Sequence, residues 1–214
     1  MQHKFSRVAI IGLGYIGLPT AATLASRGVE VIGVDVNEHA VSMITQGKVH
    51  FSEPDLDMLV RAAVMTGKLR AVVTPEPAEA FIIAVPTPLA DGNRPDLGYI
   101  DAAARSIAPV LEAGNLIVLE STSPVGTSAR LSRQLAELRP DLTFPHAAGE
   151  RSDIRIAYCP ERILPEWWRP EDVLAQDRDY YRVAVEDGRS FWVYREGLYG
   201  EPGDPGWRVQ GHFA

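Results

Sequence analysis

Three glycines and one acid stand at a spacing that could do chemistry: Gly12, Gly14 and Gly17 in GLGYIG, then Asp35 eighteen positions later. Gly12 permits a tight turn, Gly14 lets the backbone approach a pyrophosphate, and Gly17 lets a helix pack close to the preceding strand. The N-terminus of that helix offers unpaired N–H groups and a partial positive charge to phosphates. Asp35 can accept hydrogen bonds from the hydroxyls of an adenosine ribose, and its charge would repel a 2′-phosphate. The pattern therefore favours NAD over NADP.

A glycine triplet alone identifies little, so the elements around it carry the reading. Residues 8–11 (VAII) form a short apolar run suited to a buried parallel strand. A helical pattern follows over about 15–27, and a second apolar run, 29–34, ends on Asp35. Helices are expected over 37–46, with Asn37 as N-cap, and over 55–66, with Pro54 in its first turn. Strands are expected at 69–74, 80–85, 116–119 and 154–158, with a helix over 99–112. Six strands with intervening helices predict an α/β fold, a Rossmann-like doubly wound parallel sheet over residues 1–160.

Ligands of such sheets bind at the carboxyl edge of the strands. Pro86-Thr87-Pro88 lies at that edge, and Thr87 reads either as a cofactor contact or as a turn residue. The stretch Glu120-Ser121-Thr122-Ser123-Pro124 lies there too; helix capping by a hydroxyl before Pro124 accounts for its serines and threonine as well as ligand binding does.

Composition narrows the classes. A hydrophobic fraction of 46% with 23% charged residues is ordinary for a globular chain. No apolar run approaches the ~20 residues of a membrane helix, and MQHKFSR leads directly into a core strand without a signal-peptide pattern. The single cysteine allows no internal disulfide and suits a cytoplasmic setting. A formal charge of −7 argues against nucleic acid or an anionic membrane as partner. The five histidines show no metal-ligand spacing.

GLGYIGLPTAA, VIGVDVN, AVPTP, LESTSPVG, RPDLTFP and IAYCPERILP together resemble the N-terminal part of the UDP-glucose/GDP-mannose dehydrogenases, in the branch acting on UDP-N-acetyl-D-mannosamine. The likeness runs from about residue 7 to 165. It implies oxidation of a nucleotide-sugar C6 alcohol to a carboxylate, with two NAD per sugar and a covalent intermediate on a cysteine. By position, Tyr15, Ile16, Asp35, Thr87 and Ser128 would contact NAD. Thr122 matches a threonine beside the nicotinamide, Glu161 an active-site glutamate, and Arg162 and Ile163 the substrate contacts. The resemblance includes no counterpart of the family's catalytic lysine, its cysteine loop or its UDP-holding domain. The chain alone is therefore expected to bind NAD, to hold a UDP-sugar only through an incomplete site, and to turn nothing over. Cys159 reads as a structural residue, since no neighbouring His or Lys marks it for activation. The family dimerises through the segment without a counterpart, so an oligomeric state does not carry over.

Composition shifts after Pro165. All four tryptophans lie in the last 48 residues, and residues 181–185 and 190–195 around Asp187-Gly188 read as a β-hairpin, with a third strand near 207–210. This 161–214 tail resembles the C-terminal end of ImuB-type Y-family DNA polymerase homologues, which makes the chain read as a junction of two unrelated pieces. Ten acids against six arginines in residues 166–214 suit phosphate binding badly. The aromatics are expected to form a small core or a docking face.

Overall fold

The central apolar runs become strands covered on both faces, as parallel sheets require. A computed structural model describes residues 5–53, 55–90, 94–124, 126–158, 162–163, 178–184, 190–196 and 207–213. They divide into two units, Met1–Tyr158 and Cys159–Ala214. The first holds β1 (Arg7–Ile11), β2 (Glu30–Val34), β3 (Leu69–Val72), β4 (Ala80–Ile83), β5 (Leu116–Leu119) and β6 (Arg155–Tyr158). Their spatial order is β3-β2-β1-β4-β5-β6, all parallel. The direction of winding reverses between β1 and β4, which opens a crevice at the carboxyl edge.

Alternation along β1 shows how the layers form. Val8 and Ile10 are buried with Leu18, Ala21 and Ala22 of α1 (Gly17–Ser26). Two further helices follow β2, α2 (Glu38–Thr45) and α3 (Leu56–Met65), and Ile44, Val60 and Ala63 join the same core. Ala9 and Ile11 are buried on the opposite face with α4 (Gly98–Ile107) and α5 (Thr127–Leu138), through Ile100, Ile107, Leu131 and Leu135. Phe81 and Phe144 are fully enclosed in that second core. Burial of such a side chain contributes roughly 1.5–3 kcal/mol.

Several element ends differ from the sequence expectation. Asn37 caps α2 as expected, its Oδ1 accepting from the N–H groups of His39 and Ala40. The third helix starts at Leu56, after Asp55 in a left-handed conformation (φ 62°), and Pro54 lies outside the described residues. The fourth ends at Ile107 rather than 112, tightening into a 3₁₀ turn over Ala108–Val110 that carries Pro109. No hydroxyl cap precedes Pro124: α5 begins at Thr127 after Gly126 (φ 93°), and Thr127 Oγ1 donates back to the Pro124 carbonyl at 2.7 Å. Glycine supplies the left-handed step there, so Ser123 is not needed as a cap.

The described residues of the second unit form a four-stranded antiparallel sheet of β7 (Arg162–Ile163), β8 (Arg178–Ala184), β9 (Ser190–Glu196) and β10 (Trp207–Phe213), in the order β10-β9-β8-β7. Strands β8 and β9 pair from Arg178 opposite Glu196 to Ala184 opposite Ser190. The register between β9 and β10 shifts at Trp192/Val193. The expected hairpin strands are present, and the Asp187-Gly188 turn itself lies outside the described residues.

At the join of β1 and α1 a methyl group on Gly17 would stand 1.8 Å from the Gly12 carbonyl oxygen. Backbone must move to relieve such a contact, which costs about 2–3 kcal/mol or more. Gly17→Ala is accordingly expected to lower unfolding stability by at least that amount in urea titration; a wild-type midpoint would contradict the tight packing of turn against helix.

Candidate functional site

The glycine turn is fixed from both sides before any ligand arrives. Gly12 continues the ladder by donating to the Val34 carbonyl at 2.8 Å, and its φ of +96° is open to glycine and costly for other residues. A Cβ there would also lie 2.7 Å from the Ala84 carbonyl oxygen. Leu13 is fully buried, and its side chain fills the space above Gly33, where an added Cβ would come within 2.8 Å of it. The Asp35 carboxylate accepts from Leu13 N–H at 2.8 Å and from Asn37 N–H at 2.9 Å. Each of its oxygens keeps a lone pair for a further donor.

Across the crevice the ends of β4 and β5 are pinned together. Ser121 Oγ donates to the Val85 carbonyl at 2.7 Å, and Thr87 Oγ1 donates to the Thr122 carbonyl at 2.6 Å. Thr87 and Thr122, two residues singled out separately in the sequence, thus share a hydrogen bond. Between the two halves lies a cleft of about 750 Å³. It runs from Asp35, Val36 and Val73, past Gly12, Gly14, Tyr15 and Ile16, to Thr87 and Thr122. Tyr15 and Ile16 are 69% and 59% exposed, so the rim offers free apolar surface to a ring; Tyr15 also leans on Phe51 with ring centroids 4.4 Å apart.

Other residues singled out in the sequence fall elsewhere. Gly17 is buried beneath the turn and Ser128 sits in the first turn of α5; neither lines the cleft. Arg162 and Ile163 form β7 in the second unit, and their side chains are outside what the structure describes. Glu161 and Cys159 lie outside the described residues.

The chain's similarity to known proteins falls on this same region. Residues 6–179 match the model of the UDP-glucose/GDP-mannose dehydrogenase family, NAD binding domain. The chain belongs to this family. It carries the family's NAD-binding domain. It is 66% identical over 161 residues to the NDP-N-acetyl-D-galactosaminuronic acid dehydrogenase of Ralstonia nicotianae, covering 75% of this chain and 38% of that protein. It is 58% identical over 162 residues to the UDP-N-acetyl-D-mannosamine dehydrogenase of Escherichia coli K12, covering 76% and 39%. Among solved structures, the UDP-N-acetyl-mannosamine dehydrogenase of Staphylococcus aureus superposes with a TM-score of 0.67 at 37% identity, over 75% of this chain and 38% of that one. The chain thus spans about two-fifths of the length of these curated relatives.

The residues present fit the cofactor of this NAD-binding domain. A Cβ built on Gly14 meets nothing within 4 Å, so the glycine there leaves open space over the helix N-terminus. Among the described residues lining the cleft there is no Lys, Arg or His, and backbone N–H groups at a helix end are suited to a pyrophosphate. Sequence reasoning missed Glu120, which lines the cleft, and missed the tie from Asp35 to Leu13 N–H. An acid flanked by an apolar strand and a hydroxyl run was the available signal for the first; nothing in the pattern signalled the second.

The open space at Gly14 and the crowding at Gly17 separate two roles for glycine. Gly14→Ala is expected to keep wild-type stability within about 1 kcal/mol, the helix-propensity scale of such a change. NAD affinity should fall at least roughly tenfold in calorimetry, since a new methyl takes the space a pyrophosphate would need. Unaltered affinity would place the phosphates elsewhere.

Proposed function

We propose that this chain is the NAD-holding portion of a nucleotide-sugar 6-dehydrogenase acting on UDP-N-acetyl-D-mannosamine in the cytoplasm. The observation that carries the reading is the cleft between the glycine turn and the β4–β5 edge, with Asp35 at one end and Thr87 and Thr122 at the other. The relatives named above act on N-acetylated sugars, which supports that substrate class.

In this reading Asp35 receives the adenosine ribose hydroxyls, and the backbone at Gly14, Tyr15 and Ile16 faces the pyrophosphate. Thr87 would contact the cofactor; Ser128, to which the resemblance gives the same role, lies outside the cleft lining. The resemblance assigns Thr122 a place beside the nicotinamide and reacting water, Glu161 the role of active-site glutamate, and Arg162 and Ile163 the role of substrate contacts. When bound, NAD supplies the acceptor for the electrons and hydrogen leaving the C6 alcohol. The chain spans about two-fifths of the length of these relatives, and the part of the activity proposed for these residues is the binding of NAD. The second unit is proposed as an accessory sheet without a nucleotide site, because residues 166–214 carry a net charge of −4.

Calorimetry with the full chain tests this. NAD is expected to bind at least roughly tenfold more tightly than NADP, the repulsion of a 2′-phosphate by Asp35 accounting for the gap. Asp35→Ala should erase most of that discrimination, whatever it does to affinity through the loosened turn. Equal affinities in the wild type would contradict the ribose assignment.

A further inference from the structure

Glu120 is the acid left unexplained by the cofactor contacts assigned above. It follows directly on β5, lines the cleft beside Ser121 and Thr122, and is half-buried. Its Oε1 takes a long hydrogen bond, 3.4 Å, from Thr20 Oγ1 of α1, while Oε2 is buried without any partner. An unpaired buried carboxyl oxygen is costly unless the group is neutral or a positive charge compensates it. Among the described residues its surroundings provide no such charge. Neither α1 (GLPTAATLAS), β4 (AFII) nor the turn at 84–87 (AVPT) carries a charged residue. Neighbouring β6 has Arg155 paired with Leu116 at the far end of the strand and Tyr158 beside Leu119. The other titratable residues lining the cleft are Tyr15, Tyr99 and Asp35. Burial raises the Glu120 pKa above the ordinary glutamate value, the Thr20 hydroxyl acting the other way.

The position in the cleft decides what charge could answer it. With the adenosine ribose at Asp35 and the pyrophosphate at the glycine turn, the second nucleotide lies on the far side of the winding reversal, against β4 and β5. That end meets a pyridinium cation in the oxidised cofactor and a neutral ring in the reduced one. We infer that Glu120 makes this cleft discriminate between the two redox forms: its carboxylate favours the oxidised, cationic nicotinamide, and its protonation removes the preference. The inference rests on the NAD reading of the cleft. The coupling acts through space in a partly desolvated site, where unit charges interact far more strongly than in water.

The sign follows from linkage. A cation nearby stabilises the ionised carboxylate, so binding the oxidised form releases a proton and tightens as pH rises through the Glu120 titration. Binding of the reduced form gains nothing from that ionisation. Isothermal calorimetry of both forms with the full chain between pH 5 and 8, repeated in buffers of different ionisation enthalpy, reads this directly. The wild type is expected to show an oxidised-to-reduced affinity ratio that climbs roughly three- to tenfold with pH, the size of a pKa shift of up to one unit, with proton release only for the oxidised form. Glu120→Gln should flatten the ratio and leave affinity for the reduced form near wild type. A constant wild-type ratio without proton release, or a Glu120→Gln ratio that still climbs, overturns the inference while leaving the cofactor reading intact. Equal weakening of both forms as pH rises would put Glu120 beside the pyrophosphate and overturn it too. Failure of the wild type to bind either form overturns the cofactor reading and the inference with it. Because the proton-release measurement needs no variant, the test survives a misfolded Glu120→Gln.

Discussion

Between β1 and α1 the backbone passes so close to itself that Gly17 has no room for a methyl beneath the Gly12 carbonyl. This contact sets the angle at which α1 leaves the sheet, and with it the aim of the helix N-terminus. Two further constraints hold the turn in place: the left-handed φ of Gly12 under the Ala84 carbonyl, and the Asp35 carboxylate on Leu13 N–H. The cleft inherits its shape from this arrangement. Backbone N–H groups hold a diphosphate best when they are aimed in advance, and the crowded glycines do the aiming.

Asp35 therefore serves both structure and ligand. Its two backbone contacts bind the turn after β1 to the start of α2, while spare lone pairs remain for a ribose. On the opposite bank, Ser121 and Thr87 tie β4 to β5 with hydrogen bonds to backbone carbonyls. The two banks face each other across the reversal in strand order. The cleft is thus a consequence of topology sharpened by a few local hydrogen bonds.

Much of this was legible in the residues. Six apolar runs gave six strands in the expected doubly wound order, and Asn37 announced the cap it provides. The glycine triplet and Asp35 came to one place because their spacing is dictated by one turn, one helix and one strand. The start of α5 was misread because Ser123-Pro124 imitates a cap while Gly126, two positions on, supplies the actual left-handed step. The fourth helix was read too long because apolar spacing continues through Pro109 after the α-helical geometry has ended. Glu120 stayed invisible because its significance is an unpaired oxygen, a property of packing across a hundred residues. The family match extends to residue 179, into the second unit, whose antiparallel strands the alternation and turn signals had foreshadowed.

Crystals of the chain grown with NAD would test the central claim most directly. The account predicts density along the carboxyl edge of the sheet, with adenosine ribose hydroxyls on the Asp35 carboxylate, the pyrophosphate over Gly14, and the nicotinamide end toward Thr87 and Thr122. A ligand bound elsewhere, or a cleft left empty at saturating NAD, would contradict it.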